Sequence, residues 1–585
     1  MEWAGHPQRG ERVSDLVPMN KNSGISMRFL WVLLLAGAVS CPADGVAPEV
    51  VEQWKDDRFG MFIHWGPISQ MGQPLSHSRN SPSRVEGGKP YKTGPIEPAV
   101  YDAQYRTFNP TNFQPREVAR LAKAAGMRYG VFTAKHHDGF SMFDSAYTDY
   151  DIMASPYGRD IAKMMADAFR DEGLAFGLYY SPRDWFHPDY EIRHDRYLAF
   201  FDGQIRELLE NYGPLNCIWF DGLGPGAWGT SLDDVMTMIR EKQPRAMVNN
   251  RGGRIGDFYT PEHGVGYFNR DVPWEACHTI TGQWGFNPRE GAKPLPLLME
   301  ILLYTWGADG NVLLNIGPRG DGAVNPVERE RLDDLAAWWS VHGDSIRGSR
   351  GGPYLPGPWG VSTYKGNRMF LHVFRWPETG GLTFPRLPGL QVTEGRTLHG
   401  EAVGWTVSDT EIVVAIPVER RDPIVTTIAL TLDRDIQFDQ PLSRSPVLLA
   451  SAQLTASHGE EGLEHLRDQN ASTYWEGALR AEEDEFWIEA RFDTPVTIES
   501  FTVGRGARWH HSHEVALQVT DANGNWTTVT RPKQRVRWAP VIVLDEVVTT
   551  GAVRLIISNT RRFAIAEFEL YAPLQSGVEV VSRSM

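Results

Sequence analysis

The sequence predicts a multidomain chain: a (β/α)8, TIM-like barrel, then an all-β sandwich, then a second β-sandwich. Three observations carry this. The 585 residues are enough for three or four compact units at ~100–200 residues each. Between residues 54 and 350, short apolar runs alternate with longer amphipathic ones, as strands separated by helices do. Beyond residue 351 the pattern turns to short alternating strands and turn residues without a helical period.

The first segment, 1–45, reads as a leader. Lys21 and Arg28 precede an apolar run over 29–39, and small residues follow up to Ser40-Cys41. That is a secretory signal layout, too short to span a bilayer as a mature helix. Export is therefore expected, to a periplasmic, outer-membrane or extracellular location, with no transmembrane segment in the mature chain. Ala38-Val39-Ser40-Cys41 resembles a bacterial lipobox, which makes Cys41 a candidate lipid anchor. The next unit, 48–350, holds strand candidates at 58–65, 129–133, 174–181, 217–221, 246–250, 257–260, 277–280 and 312–316. Helical patterns lie at 115–125, 160–172, 197–211, 231–242 and 327–341. Strands interleaved with helices or long loops in this number favour a (β/α)8 barrel over an open doubly wound sheet. No Gly-rich dinucleotide or phosphate loop follows any strand, and Gly317-Pro318-Arg319-Gly320-Asp321-Gly322 reads as a turn. A sandwich follows at 352–433, then a polar linker with two prolines at 434–446, then a second all-β unit at 447–573.

Composition narrows the function classes. A net charge of −15 offers no basic surface for nucleic acid or anionic lipid. Three cysteines cannot staple a chain this long. Cys217 and Cys277 lie in apolar stretches and are expected as buried thiols. Aromatic residues reach 11%, with 20 tryptophans; their faces suit the C–H faces of sugars and large cores alike.

Barrel enzymes place their chemistry at the C-terminal ends of the strands. Read that way, the first strand ends at His64-Trp65-Gly66 and the second runs into Lys135-His136-His137-Asp138. The third ends at Tyr179-Tyr180-Ser181, the fourth at Trp219-Phe220-Asp221-Gly222, the fifth at Asn249-Asn250-Arg251 and the sixth near Thr260-Pro261-Glu262. Two carboxylates, three histidines, an arginine and two aromatics at one end supply what glycoside hydrolysis needs. A retaining mechanism wants an ionised nucleophile and a protonated acid, roughly 5–5.5 Å apart. His136-His137 could equally be a capped loop, or the start of a metal site. Adjacent residues on an extended segment face opposite sides, however, which makes them a poor pair of ligands unless a loop turns them.

Six runs occur here in order: Phe59-Gly60-Met61-Phe62-Ile63-His64-Trp65-Gly66, Lys135-His136-His137-Asp138-Gly139-Phe140, Gly177-Leu178-Tyr179-Tyr180-Ser181, Trp219-Phe220-Asp221, Trp274-Glu275-Ala276-Cys277 and Asn315-Ile316-Gly317-Pro318. Together they make residues 54–343 resemble the catalytic barrel of the α-L-fucosidases of glycoside hydrolase family 29. The resemblance implies that Asp221 is the nucleophile of a covalent fucosyl-enzyme. His64, His136, His137, Tyr179, Trp219 and Arg251 fall where that family contacts the fucose, its hydroxyls and its methyl group. Glu262 matches the position of the acid/base in well-aligned members, and Glu275 is its rival, otherwise a buried carboxylate ordering the floor of the site. Glu262 is expected in an apolar or carboxylate-facing setting that keeps it protonated. The chemistry needs no metal and no cofactor. The expected partners are fucosylated oligosaccharides or glycoconjugates.

The unit at 352–433 resembles the β domain packed behind the barrel in the same family. The last unit resembles the discoidin or coagulation factor type C fold, also found in galactose-binding modules, through Asp468-Gln469-Asn470-Ala471-Ser472-Thr473-Tyr474-Trp475, Phe486-Trp487-Ile488-Glu489-Ala490-Arg491-Phe492 and Ala566-Glu567-Phe568-Glu569-Leu570-Tyr571. Trp475 and Trp487 are expected in its core, Trp65 and Trp219 beside the site in the barrel. Arg508-Trp509-His510-His511 reads as strand-end packing or a sugar platform. Two other functions compete with the fucosidase reading: an exo-glycosidase for a fucose-like sugar such as L-galactose, and a noncatalytic glycan-binding protein.

Overall fold

The computed structural model describes residues 45–574 without 81–84, 87–88, 91–93, 224–227, 254–255, 265–267, 378–379, 445–447, 469–472, 479–484, 506–513, 522, 531–533, 536–540 and 559–561. The leader run with Cys41, residues 469–472 and the Arg508-Trp509-His510-His511 cluster therefore lie outside the described residues.

Seven strands form a parallel sheet. They are β1 (Phe59–Ile63), β2 (Tyr129–Lys135), β3 (Ala175–Tyr180), β4 (Cys217–Phe220), β5 (Met247–Val248), β6 (Glu275–Thr279) and β7 (Asn311–Ile316), in the spatial order β5-β4-β3-β2-β1-β7-β6. The stretch expected as a further strand, 257–260, makes no ladder. It contributes single parallel bridges, Asn249↔Phe258 toward β5 and Tyr259↔Trp274 toward β6, with Glu262↔Cys277 just beyond. The segment thus touches both edges of the curled sheet. Pro261 supplies no donor to extend the pairing, and the Asp257 carboxylate is engaged by the Val248 N–H and Arg240 instead.

Side chains along these strands alternate between two hydrophobic clusters, as period-two geometry requires. Phe62, Val131, Tyr179, Trp219, Cys277 and Leu313 face inward together. Their neighbours Met61, Phe132, Leu178, Ile218 and Leu314 face the helices. Burial on both faces explains why the strands read as continuous apolar runs. Gly60 belongs to the inward set. A Cβ there would lie 2.3 Å from the Tyr129 ring, so only glycine lets that ring cross the floor of the sheet.

Helix α1 (Pro48–Asp57) sends Val50 and Trp54 into the inward cluster. The Trp54 carbonyl accepts from Asn311 Nδ2 at 2.7 Å, so α1 lies across the N-terminal ends of the strands. The outer layer is α2 (Pro115–Ala124), α3 (Ile161–Asp171), α4 (His194–Asn211), α5 (Ser231–Lys242), α6 (Leu295–Gly307) and α7 (Pro326–His342). Their starts follow from local chemistry. Proline opens α2 and α7, and the Asp160 side chain accepts from the Lys163 N–H at 2.8 Å to cap α3.

Two β regions follow. Strands at 350–432 form a five-stranded and a three-stranded sheet around Tyr354, Trp359, Leu371, Phe384, Val414 and Leu430. The last region is built on two long strands, Glu485–Arg505 and Ile542–Ser558. Its core holds Trp475, Phe486, Ile488, Leu517, Leu555 and Phe568. Trp487, expected in that core, is instead half-buried beside the Arg554 guanidinium, 5.0 Å from its ring. Among the described residues, no helix is long and apolar enough to cross a membrane.

Candidate active site

The C-terminal ends of the strands gather the polar residues. His64 follows β1, and its Nδ1 meets Asn315 Oδ1, near the end of β7, at 2.6 Å. Burial lowers its pKa from 6.5 to about 4, so the ring is neutral over ordinary pH. His136 and His137 follow β2, and here the expectation of opposed side chains fails. A turn closed by the Gly139 N–H on the His136 carbonyl (3.0 Å) brings the two rings to 4.2 Å. Ser76 Oγ holds Nδ1 of His136 at 2.5 Å, and Ser181 Oγ holds Nδ1 of His137 at 2.6 Å. Burial, then the neighbouring His137 and His64, push the His136 pKa well down.

Asp221 ends β4. Its Oδ2 accepts from the Tyr179 hydroxyl at 2.6 Å and lies 3.5 Å from His137 Nε2, while Oδ1 accepts from Arg251 Nη1 at 3.2 Å. Burial alone would raise its pKa. The Arg251 charge, the Tyr179 hydrogen bond and the fields of His136 and Arg183 outweigh it, so the group is held below its ordinary value. Arg251 stands on the 3-10 turn Asn250–Gly252 after β5. Its Nε and Nη2 donate to Thr260 Oγ1 and Thr260 O, each at 2.9 Å, and its guanidinium covers the Trp219 ring at 4.7 Å. Trp219 in turn stacks on Tyr179, with centroids 5.6 Å apart. Glu262 accepts from the same Arg251 Nη1 at 3.0 Å. One nitrogen therefore joins two carboxylates, and the two distances bound the separation of those oxygens at 6.2 Å.

All eight residues His64, His136, His137, Tyr179, Trp219, Asp221, Arg251 and Glu262 thus meet at one end of the sheet. Glu275 does not. It is the first residue of β6, at the opposite end of the strands, and it accepts from the Tyr129 hydroxyl and from Trp219 Nε1. Burial raises its pKa from 4.5 to about 7. The surroundings of Glu262 also differ from an apolar wall, since the Arg251 guanidinium faces it with the Asp221 carboxylate on the same nitrogen. Trp65 is outside the site as well: it packs on Phe108 and Phe113 in the helix-facing cluster. Ser76 and Trp284 were not legible from sequence. Ser76 is one loop serine among several, at φ +56°, and Trp284, 4.9 Å from the His64 ring, carries only the general aromatic signal. Ligand atoms of His136, His137 and Asp221 all lie within 4.8 Å of one another, a spacing that could hold a cation.

The sequence model of the α-L-fucosidase family matches residues 42–344, the stretch that builds this sheet and its helices. The chain belongs to the α-L-fucosidase family. Human plasma α-L-fucosidase is 29% identical over 407 residues, covering 62% of this chain and 85% of that protein. Among solved structures, a family 29 α-L-fucosidase from Bacteroides thetaiotaomicron, trapped as a covalent intermediate with 2-fluoro-fucosyl fluoride, is 25% identical with a TM-score of 0.59, covering 66% of this chain and 97% of that one. The α-L-fucosidase of Vibrio sp. strain EJY3 is 22% identical and carries the likeness in fold across 91% of this chain and 99% of its own, with a TM-score of 0.65. As a family member the chain is a glycoside hydrolase.

Proposed function

We propose that the protein is a retaining exo-α-L-fucosidase that releases terminal fucose from glycans, with Asp221 as nucleophile and Glu262 as acid/base. The observation that carries this is the shared guanidinium. Oxygens of the two carboxyl groups meet the same nitrogen and so lie within 6.2 Å of each other, which is compatible with the pair that a retaining enzyme holds at roughly 5–5.5 Å. Asp221, held ionised by Arg251 and Tyr179, attacks the anomeric carbon as Glu262 gives its proton to the leaving oxygen. The aglycone departs and an Asp221 ester forms. Glu262, now a carboxylate, takes a proton from water as the water attacks the same carbon, and fucose and free Asp221 are released. With Asp221 ionised and Glu262 carrying the proton it donates, the Arg251 cation balances the one carboxylate charge of the trio. When Asp221 becomes an ester, Arg251 is left to Glu262 alone, which stabilises the base of the second step.

The neutral His64, with His136, His137 and Tyr179, would bind the hydroxyls, and Trp219 would support Tyr179 and Arg251 from beneath. Around this core we read a (β/α)8 catalytic domain at 48–350, a supporting sandwich at 352–433 and a discoidin-like, carbohydrate-binding-type module at 447–573, on a chain exported through a leader with Cys41 as a lipid anchor. Substitution tests the roles. Asp221→Ala abolishes turnover and azide restores cleavage of an aryl fucoside. Glu262→Ala slows substrates with poor leaving groups by ~10²–10⁴-fold and aryl fucosides with good ones much less. Intact glycan hydrolysis in Glu262→Ala together with its loss in Glu275→Ala would reverse the acid/base assignment.

A further inference from the structure

We propose that a cavity behind the catalytic pocket, lined by Tyr105, Arg106, Thr148, Asp149, Tyr150 and Phe186, binds a neutral saccharide unit of the glycan from which the fucose is cut. This rests on the fucosidase reading and adds a site to it.

The cavity holds about 480 Å³, within the size range of small-molecule sites. Its position follows from the loop after β3. In that loop Trp185 turns toward the catalytic side, its N–H donating to the His137 carbonyl at 2.8 Å and its ring 5.0 Å from the His137 ring. The next residue, Phe186, faces the cavity and stacks on Tyr150 with centroids 3.8 Å apart. The histidine loop backs directly onto this pair. Gly139, at φ +81°, leaves no room for a Cβ, which would meet Asp184 Oδ1 at 2.3 Å and Phe186 Cβ at 3.0 Å. The two pockets therefore share one wall.

The lining has the chemistry of a sugar site. Phe186 remains 40% exposed despite its stack on Tyr150, and Tyr105 meets Tyr150 edge-on at 5.4 Å. Such faces suit the C–H side of a pyranose. Around them stand Arg106, Asp149 and Thr148, planar or hydroxyl groups able to hold vicinal hydroxyls. Asp102 also borders the space, but Arg79 holds both its oxygens at 2.7 Å. The remaining Arg106 and Asp149 charges cancel, which favours a neutral ligand over a sulfated or sialylated one.

The experiment compares full-length wild type with Phe186→Ala and Arg106→Ala on an aryl α-L-fucoside and on a fucosylated pentasaccharide. The expected result is a fall in kcat/KM on the pentasaccharide of about three- to tenfold for each variant, the size of one lost aromatic or polar contact, with the aryl fucoside unchanged. Equal falls on both substrates, or none on either, would overturn the proposal. Saturation-transfer NMR with the unfucosylated tetrasaccharide separates it from the reading it rests on. Signal from wild type that both variants lose supports the cavity even if no fucoside were cleaved, and signal that both variants retain overturns it.

Discussion

Arg251 is where the site's charges converge, and its effect on Asp221 has a testable sign. The guanidinium holds Asp221 below its ordinary carboxylate pKa against the pull of burial. Removing it lets burial dominate, the Asp221 pKa rises, and less of the nucleophile is ionised at a given pH. Arg251→Gln is therefore expected to lower kcat/KM and to move the acid limb of its pH profile upward; an unmoved limb would mean that another group sets it. Glu275 gives a second prediction through stability. Its folded pKa is about 7 against an ordinary 4.5, because it is buried. Between those values the folded chain holds a proton that the unfolded chain releases, so this contribution is fully present below pH 4.5 and is lost as pH rises through about 7. Glu275→Gln should flatten the decline in unfolding free energy across that window by up to about 1.4 kcal/mol per pH unit, read from denaturant titrations at several pH values. Sequence made the strand-end residues visible because each closes an apolar run. Which carboxylate stands at the site and which on the floor depends on register: Glu275 opens its strand, whereas Asp221 follows the end of its own. Ser76 was invisible because its role comes from a loop fold that no local pattern announces.

At the scale of elements, what could be read from sequence was whatever has a period. Helices α2, α3 and α5 each expose one face and bury the other, and their bounds lie within a residue or two of the sequence reading. Helix α6 was missed because it is apolar nearly all round. It is buried between the sheet and the following sandwich, its Tyr304 hydroxyl donating to Gly357 O at 2.6 Å and its Gly307 facing Val361, and such a helix has no polar stripe to reveal it. The stretch 257–260 failed as a strand for the opposite reason, since its apolar pair is real but Pro261 and the engaged Asp257 leave no ladder to extend. Strand β1 carries a prediction. Because Gly60 makes room for the Tyr129 ring, and Tyr129 donates to Glu275, Gly60→Ala must displace the ring that fixes the floor beneath Trp219. It should destabilise the protein by about 1–3 kcal/mol in thermal or denaturant unfolding. It should also lower kcat more than a conservative change on the helix-facing side, such as Ile63→Val.

At the scale of the whole molecule, the three regions are not equally independent. The sandwich at 350–432 is tied to the curled parallel sheet and its helices by buried contacts: Gly351 N–H to Asp309 Oδ1 at 2.7 Å, Thr363 Oγ1 to Ser345 O at 2.7 Å, and Val361 and Val425 within the helix-facing cluster. These regions should unfold together, since neither can open without exposing shared apolar surface. The last region encloses its own core, from Leu449 to Leu570, between strands that pair with one another, and reaches the rest of the molecule through Val541 in the helix-facing cluster and Leu574 against the core of the first sandwich. A cavity cut there is expected to be felt there. Leu555, fully buried on the long strand Ile542–Ser558, is the position to use, and Leu555→Ala should cost that region about 2–5 kcal/mol. Calorimetry should resolve this as a lowered transition for the C-terminal region, with the transition of the parallel sheet, its helices and the first sandwich in place and kcat/KM on an aryl fucoside unchanged. If instead the whole chain melted earlier as one unit and aryl-fucoside activity fell with it, the last region would be a structural part of the catalytic body rather than an appended one.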